Sequence, residues 1–277
     1  MSFGKYELNN VYVTDAVKGM KELPDECVDL TVTSPPYDNL RKYSKEKKQD
    51  VFDFESIAQE LFRITKQGGI VVWIVGDQTV NGSETGTSFR QALYFMDIGF
   101  KLYDTMIYAK QNYIPLSHRR YENQFEYMFV FSKGKPNTFH PIMEPCIHSG
   151  KKQGGTIRKR AGSNVENADI LLPKSGNGES IKEEKMKSNI WFYKVGLNMS
   201  TKDKIAFNHP ATFPDQLAMD HITTWTNQDD VVFDPLVGSG TTVVMAKKAK
   251  RNFLGFDKSE DYIENVAKIR LNQHFPE

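Results

Sequence analysis

Two short segments carry residue types that could do chemistry. The first is Asp234-Pro235-Leu236-Val237-Gly238-Ser239-Gly240-Thr241-Thr242, which follows the apolar Val231-Val232-Phe233 and runs straight into the helical pattern VVMAKKA. A strand, a Gly-X-Gly turn and a helix amino terminus together form a cradle for nucleotides and anions. Glycine permits the tight turn, and the free N–H groups of the first helical turn face the ligand. Asp257 closes the next strand-like run, Phe253-Leu254-Gly255-Phe256, where an acid binds ribose hydroxyls. A dinucleotide fingerprint would need a third glycine where this chain has Thr-Thr-Val-Val, and a Walker loop would need a lysine that is missing. NAD, FAD and ATP therefore fit poorly. Asp234 would repel a pyrophosphate but suits a ligand bearing an ammonium or a sulfonium, and S-adenosylmethionine has both. The same pattern also fits a structural βα turn in which glycine serves geometry alone.

The second segment is Ser34-Pro35-Pro36-Tyr37, after the strand-like Val28-Asp29-Leu30-Thr31-Val32-Thr33. Two prolines end the strand and hold the loop rigid. The Ser34 hydroxyl and the Pro35 carbonyl become fixed acceptors beside the flat ring of Tyr37. Such a set can hold a base taken out of a helix, with its amino group hydrogen-bonded and its face stacked. A proline-rich turn with a packed tyrosine is the plainer reading. Metal chemistry finds no support, because the six histidines (118, 140, 148, 209, 221, 274) show no paired helical spacing with acids or cysteines.

Both loops need strands behind them. Ile70 to Val75 is a continuous apolar run of the kind a strand buried on both faces shows. Tyr103 to Ala109 and Glu126 to Ser132 read as further strands, and order returns at Asn189 to Tyr193 after a polar stretch. Helical spacing occurs at Phe54 to Thr65, which Gly68-Gly69 is expected to stop, and at Ser88 to Met96, Asp215 to Thr226, Thr241 to Lys250 and Asp261 to Gln273. This alternation predicts an α/β fold with a mostly parallel sheet and helices on both faces. From Ser149 to Ser188 the sequence turns polar and glycine-rich, with no periodic core signal. The expected organisation is a discontinuous α/β domain, 1–134 and 206–277, interrupted by a basic insert over 135–205.

With 277 residues, 39% hydrophobic and 12% aromatic, the chain has enough to bury for a globular core. No export signal or membrane span is expected, and two distant cysteines, Cys27 and Cys146, suit a reducing cytoplasm. The net charge is only +1, yet residues 110 to 160 hold ten Lys and Arg against three acids. A solvated loop would account for that window, and so would phosphate contacts.

Thr-Ser-Pro-Pro-Tyr near the amino terminus and Phe-Asp-Pro-Leu-Val-Gly-Ser-Gly-Thr-Thr near the carboxyl terminus together resemble the DNA amino-methyltransferases of restriction-modification type, in their beta arrangement. In that arrangement the catalytic motif comes first, target recognition lies in the middle and the cofactor motif comes last. Asn208-His209-Pro210-Ala211-Thr212-Phe213-Pro214 and Glu126 to Gly134 resemble two further segments of the family. Leu236-Val237 departs from it, where an aromatic and a small residue are usual.

The resemblance implies a Rossmann-like S-adenosylmethionine-dependent methyltransferase fold with an inserted target-recognition region. It assigns the catalytic loop to Ser34, Pro35, Pro36 and Tyr37. It assigns cofactor binding to Phe213, Asp234, Pro235, Gly238, Ser239, Gly240, Thr241, Thr242 and Asp257, with Asp234 near the ammonium and Phe213 closing the pocket from the side. DNA contacts would fall to His118, Arg119, Arg120, Lys151, Lys152, Arg158, Lys159 and Arg160. The partners implied are double-stranded DNA, a cognate restriction endonuclease acting on the same site, and a second copy of the chain as a homodimer. A serine at the first motif position accompanies cytosine N4 methylation more often than adenine N6. A cytosine carbon-5 enzyme would need a Pro-Cys nucleophile, but Pro145-Cys146 does not follow a buried strand, and Glu264-Asn265-Val266 falls in a helix pattern. A non-catalytic regulator on the same fold is the reading from another class, and RNA is an alternative substrate.

Overall fold

A computed structural model describes residues 2–36, 52–112, 120–150 and 180–273. By contacts between residues the chain divides into two units, 1–140 with 189–277, and 141–188.

The larger unit is built on one eight-stranded sheet. Its strands in chain order are β1 (Asn10–Val13), β2 (Val28–Thr33), β3 (Thr65–Val75), β4 (Lys101–Lys110), β5 (Phe125–Ser132), β6 (Ile190–Tyr193), β7 (Val231–Asp234) and β8 (Asn252–Asp257). They lie in the order β6-β4-β5-β3-β2-β7-β8-β1. Every neighbouring pair is parallel except the two made by β5. The central strands are β-branched and apolar because helices cover both of their faces, and Val71, Val72, Trp73 and Ile74 are all fully buried.

On one face lie α1 (Ala16–Lys21), α2 (Phe54–Ile64) and α3 (Thr87–Asp97). Helix α2 is capped by Asp53, which accepts the Ser56 N–H at 3.2 Å, and it buries Ile57, Ala58, Leu61 and Ile64 along one stripe. Phe95 of α3 is buried among Trp73, Phe100 and Phe131, stacking on the last at 4.6 Å between centroids. Successive residues of a strand face opposite sides. Phe129 and Phe131 therefore meet this layer, while Met128 faces α4 (Asp215–Trp225), where its sulfur lies 3.3 Å from His221 Nε2. Helix α5 (Thr241–Lys248) packs against α4, and after β8 come a helical run, Glu260–Tyr262, a π-helical turn Ile263–Ala267 and Lys268–Asn272. Among the described residues no helix is long and apolar enough to cross a membrane.

Two expectations change. Helix α2 is not stopped by Gly68-Gly69: it ends at Ile64, where the Thr65 hydroxyl donates to the Leu61 carbonyl at 2.6 Å, and the glycines lie inside β3 with Gly68 at φ +78°. The insert expected over 135–205 is shorter, because Ile190–Tyr193 pairs with β4 and belongs to the main sheet. The smaller unit, 141–188, contains a hairpin of Met143–Pro145 with Glu184–Met186, and Lys185 pairs with Glu144 there at 3.0 Å.

Candidate cofactor and active site

Strands β2, β7 and β8 are adjacent and parallel, so their carboxyl ends present side by side the Ser34-Pro35-Pro36 loop, the Asp234 to Gly240 loop and Asp257. In an open parallel sheet this edge is where ligands bind. Neighbouring strands lie about 4.8 Å apart, so groups one or two strands away can act on a single ligand.

The first two loops are tied together. Thr33 Oγ1 donates to Asp234 Oδ1 at 2.7 Å, the Leu236 N–H donates to the same oxygen at 3.0 Å, and Thr242 Oγ1 donates to the Val32 carbonyl at 3.0 Å. The end of β2 and the start of α5 thus share one hydrogen-bonded joint. Ser34 and Pro36 are half-buried beside it, and Pro35 is buried. Tyr37 lies outside the described residues.

The glycine loop is held by its neighbours. Gly238 and Gly240 take φ +48° and +81°, which favour glycine. A Cβ on Gly238 would meet the His209 ring at 2.9 Å, and one on Gly240 would meet Ala267 at 3.0 Å. The Gly238 N–H donates to Asp257 Oδ2 at 2.8 Å and the Ser259 N–H to Oδ1 at 2.9 Å. His209 is fixed in turn, with Nδ1 2.6 Å from the Ala211 carbonyl oxygen and its ring edge-on to Tyr262 at 4.5 Å. Ser239, Thr241 and Thr242 are buried, with Ser239 Oγ and Thr241 Oγ1 3.2 Å apart. Pro235 and Phe213 are, respectively, buried and half-buried.

Two carboxylates, Asp234 and Asp257, lie at this edge. Asp234 is only 2% exposed, and burial pushes its carboxyl up to about 6, against the pull of the Thr33 hydroxyl and the Leu236 N–H. The charged neighbour that bears on it, Asp257, has the same sign and pushes the same way. Burial also raises the Asp257 carboxyl, opposed by the Ser259 and Gly238 N–H groups and by the Lys258 ammonium. Two carboxylates at adjacent strand ends favour a cationic ligand, and the partly exposed Asp257 keeps lone pairs for hydroxyl donors. The donor set therefore fits S-adenosylmethionine, with a cation for the acid-lined edge and a ribose for Asp257.

Of the residues expected to contact DNA, Arg120 is exposed and donates through Nη2 to the Gly82 carbonyl. His118, Arg119, Lys151, Lys152, Arg158, Lys159 and Arg160 lie outside the described residues. Pro145-Cys146 lies at the hairpin of the smaller unit and Glu264-Asn265-Val266 within the π-helical turn, so neither follows a strand of the main sheet. His209 and Arg270 were not among the expected site residues. His209 lay within a motif that gave no role to its ring. Arg270 carries no local signal, and its guanidinium reaches the Ser239 carbonyl only through the tertiary fold.

The DNA methylase family (N6_N4_Mtase) matches residues 28–268. The orphan methyltransferase M.BamHII of Bacillus amyloliquefaciens is 48% identical over 259 residues, covering 92% of this chain and 93% of the relative. The type II methyltransferase M.BglII of Bacillus subtilis is 24% identical, covering 99% of this chain and 74% of its own length. Among solved structures, the PvuII DNA methyltransferase (cytosine-N4-specific) superposes with a TM-score of 0.66 at 18% identity, over 99% of this chain and 91% of that one. The M1.HpyAVI–SAM complex superposes with a TM-score of 0.57 at 22% identity, over 95% and 99%. These likenesses establish the methyltransferase fold. The cofactor of a DNA methylase is S-adenosylmethionine. The family match spans the Ser34-Pro35-Pro36 loop, the whole sheet from β2 onward and the glycine loop, and the chain belongs to the DNA methylase (N6_N4_Mtase) family.

Proposed function

We propose that this DNA methyltransferase methylates the exocyclic N4 of cytosine in duplex DNA, by direct displacement on a base rotated out of the helix. The observation that carries the reading is the joint between the two loops, Thr33 Oγ1 to Asp234 Oδ1 at 2.7 Å, which sets the Ser34-Pro35-Pro36 acceptors beside the cofactor loop. S-adenosylmethionine supplies an electrophilic methyl on a sulfonium. The chain's own residues bind and orient. The Ser34 hydroxyl oxygen and the Pro35 carbonyl accept the two N–H bonds of the target amine, which aims its lone pair and discourages conjugation with the ring. Tyr37 stacks on the base. Asp257 accepts from the ribose hydroxyls, and the Gly238–Gly240 turn lets backbone approach the methionine part. The negative charge of Asp234 holds the cationic end. Positioning and charge complementarity supply most of the rate.

The choice of cytosine rests on Ser34, a neutral acceptor at the position where adenine enzymes more often carry an acid or amide. Mass spectrometry of nucleosides from duplex DNA methylated in vitro tests it. N4-methylcytosine is the expected product, N6-methyladenine would overturn the base, and methylation confined to RNA would overturn the substrate.

The proposed DNA contacts are His118, Arg119, Arg120, Lys151, Lys152, Arg158, Lys159 and Arg160, with the 141–188 unit as the target-recognition region. A cognate endonuclease cutting the same sequence and a homodimer complete the proposed partners, and a reducing cytoplasm the proposed location. Protection of methylated DNA from cleavage and the molar mass in solution check the first two.

A further inference from the structure

Arg270 is buried, with 1% of its side chain exposed, and it spends its donors in three directions. Nε donates to Asp203 Oδ2 at 2.8 Å and Nη2 to Asp215 Oδ1 at 3.0 Å. Nη1 donates to the Ser239 carbonyl at 2.7 Å and to Thr241 Oγ1 at 3.2 Å. The two carboxylates belong to the start of a 3₁₀ turn, Lys204–Asn208, which Asp203 caps, and to the first residue of α4. They bracket the segment that carries His209, whose ring fills the space a Cβ on Gly238 would need. One guanidinium therefore anchors both the back of the glycine loop and the two ends of the segment that forms its wall. The opposite side of the loop hangs on Asp257 through the Gly238 N–H.

A buried ion pair is not by itself a reason for stability, since apolar residues of the same volume often do as well. A planar fork with five fixed donors supplies geometry instead, which the point charge of lysine cannot reproduce. The three segments held here are far apart in the chain, 31 residues to Ser239, 55 to Asp215 and 67 to Asp203. No local propensity sets their spacing.

We propose that Arg270 is a positioning residue for the cofactor: by clasping Ser239 to Asp203 and Asp215 it sets the separation between the Gly238–Gly240 turn and the His209 wall, and through it the affinity for S-adenosylmethionine. The proposal rests on the reading of this turn as the cofactor cradle. Arg270 touches no reacting atom, so its loss weakens cofactor binding and leaves the DNA side alone.

The test is calorimetric titration of the full chain with S-adenosylmethionine and with S-adenosylhomocysteine, alongside steady-state kinetics and thermal unfolding. Arg270→Lys keeps the charge and loses the fork. It is expected to weaken both ligands roughly tenfold, about what one lost charge-assisted hydrogen bond is worth. KM for S-adenosylmethionine should rise in parallel, with KM for DNA and kcat at saturating cofactor within about twofold. A lowered melting temperature with unchanged ligand affinity would make Arg270 a stability residue only and overturn the proposal. Where Arg270→Lys does not fold, Asp215→Asn decides by the same readout, because it slackens one arm of the clasp without leaving a buried charge unpaired. Weaker affinity for both ligands supports the clasp, and unchanged affinity removes it. Gly238→Val in the same titration separates the two layers of the argument. If it binds as the parent does, the cradle reading fails and takes the clasp with it. If it abolishes binding while Arg270→Lys and Asp215→Asn bind normally, only the clasp fails.

Discussion

Replacing Asp234 with asparagine should stabilise the protein at neutral pH. Burial raises the carboxyl from an ordinary 3.8 to about 6. One pKa unit is about 1.4 kcal/mol, so roughly two units make the ionised group cost the folded state about 3 kcal/mol. The sign follows from proton binding. Below pH 4 both folded and unfolded chains hold the proton, and nothing is lost. Between about pH 4 and 6 the unfolded chain has released it while the folded chain keeps it, so stability falls as pH rises, and above pH 6 the full cost is present. Asparagine removes the charge and keeps the acceptor, since its Oδ1 can take the Thr33 hydroxyl and the Leu236 N–H that Asp234 takes now. Its amide can donate to Thr242 Oγ1, whose own hydrogen goes to the Val32 carbonyl. Urea unfolding of parent and Asp234→Asn without cofactor, at pH 4.5, 6 and 7.5, reads the difference. The variant should gain up to about 3 kcal/mol at pH 7.5 and only about 1 kcal/mol at pH 4.5. A difference that does not change with pH would refute the reasoning. The gain in stability should come with a loss of function, because the carboxylate that costs folding energy is the charge proposed to hold the cationic cofactor.

The remaining predictions concern single features. Asp257→Ala should weaken S-adenosylmethionine binding with little effect on kcat at saturating cofactor, and Tyr37→Ala should do the reverse, both read by titration and single-turnover kinetics. Neutralising Lys151, Lys152, Arg158, Lys159 and Arg160 together should flatten the plot of log DNA affinity against log salt by up to about 4.5 units, near 0.9 for each phosphate no longer neutralised. An unchanged slope would return those residues to a solvated surface. Phe95→Ala, at the meeting point of Trp73, Phe100 and Phe131, should cost roughly 3–5 kcal/mol in chemical unfolding.

Much of the fold is legible in the order of residues because its signals are local. The run from Val28 to Thr33 ends where Pro35 and Pro36 forbid a further strand, and β2 ends there. The spacing in Phe54 to Ile64 exposes one polar and one apolar face over three turns, and α2 matches it. The glycine turn after Phe233 needs only two residues without a Cβ, and both take positive φ. Short elements escape this reading. Asn10–Val13 offers too few residues to show a period, and α1, six residues long, is stabilised by packing on the sheet more than by propensity. The polar stretch ahead of Ile190 concealed that this strand pairs with β4.

The site divides the same way. Which residues could accept from an amine, turn around a methionine or bind a ribose follows from residue type and spacing along the chain. Where each one ends up depends on strand order, which no local pattern encodes. Asp234 is closed inside a joint with Thr33, 201 residues away, because β2 lies next to β7, and that enclosure raises its carboxyl. His209 becomes the wall of the glycine loop and Arg270 its clasp because side chains from the 203–215 segment and the last helix converge on one backbone carbonyl and one missing Cβ. Hydrogen bonds and desolvation act over a few ångströms of space whatever the distance along the chain, so these charges and contacts were decided by the tertiary structure alone.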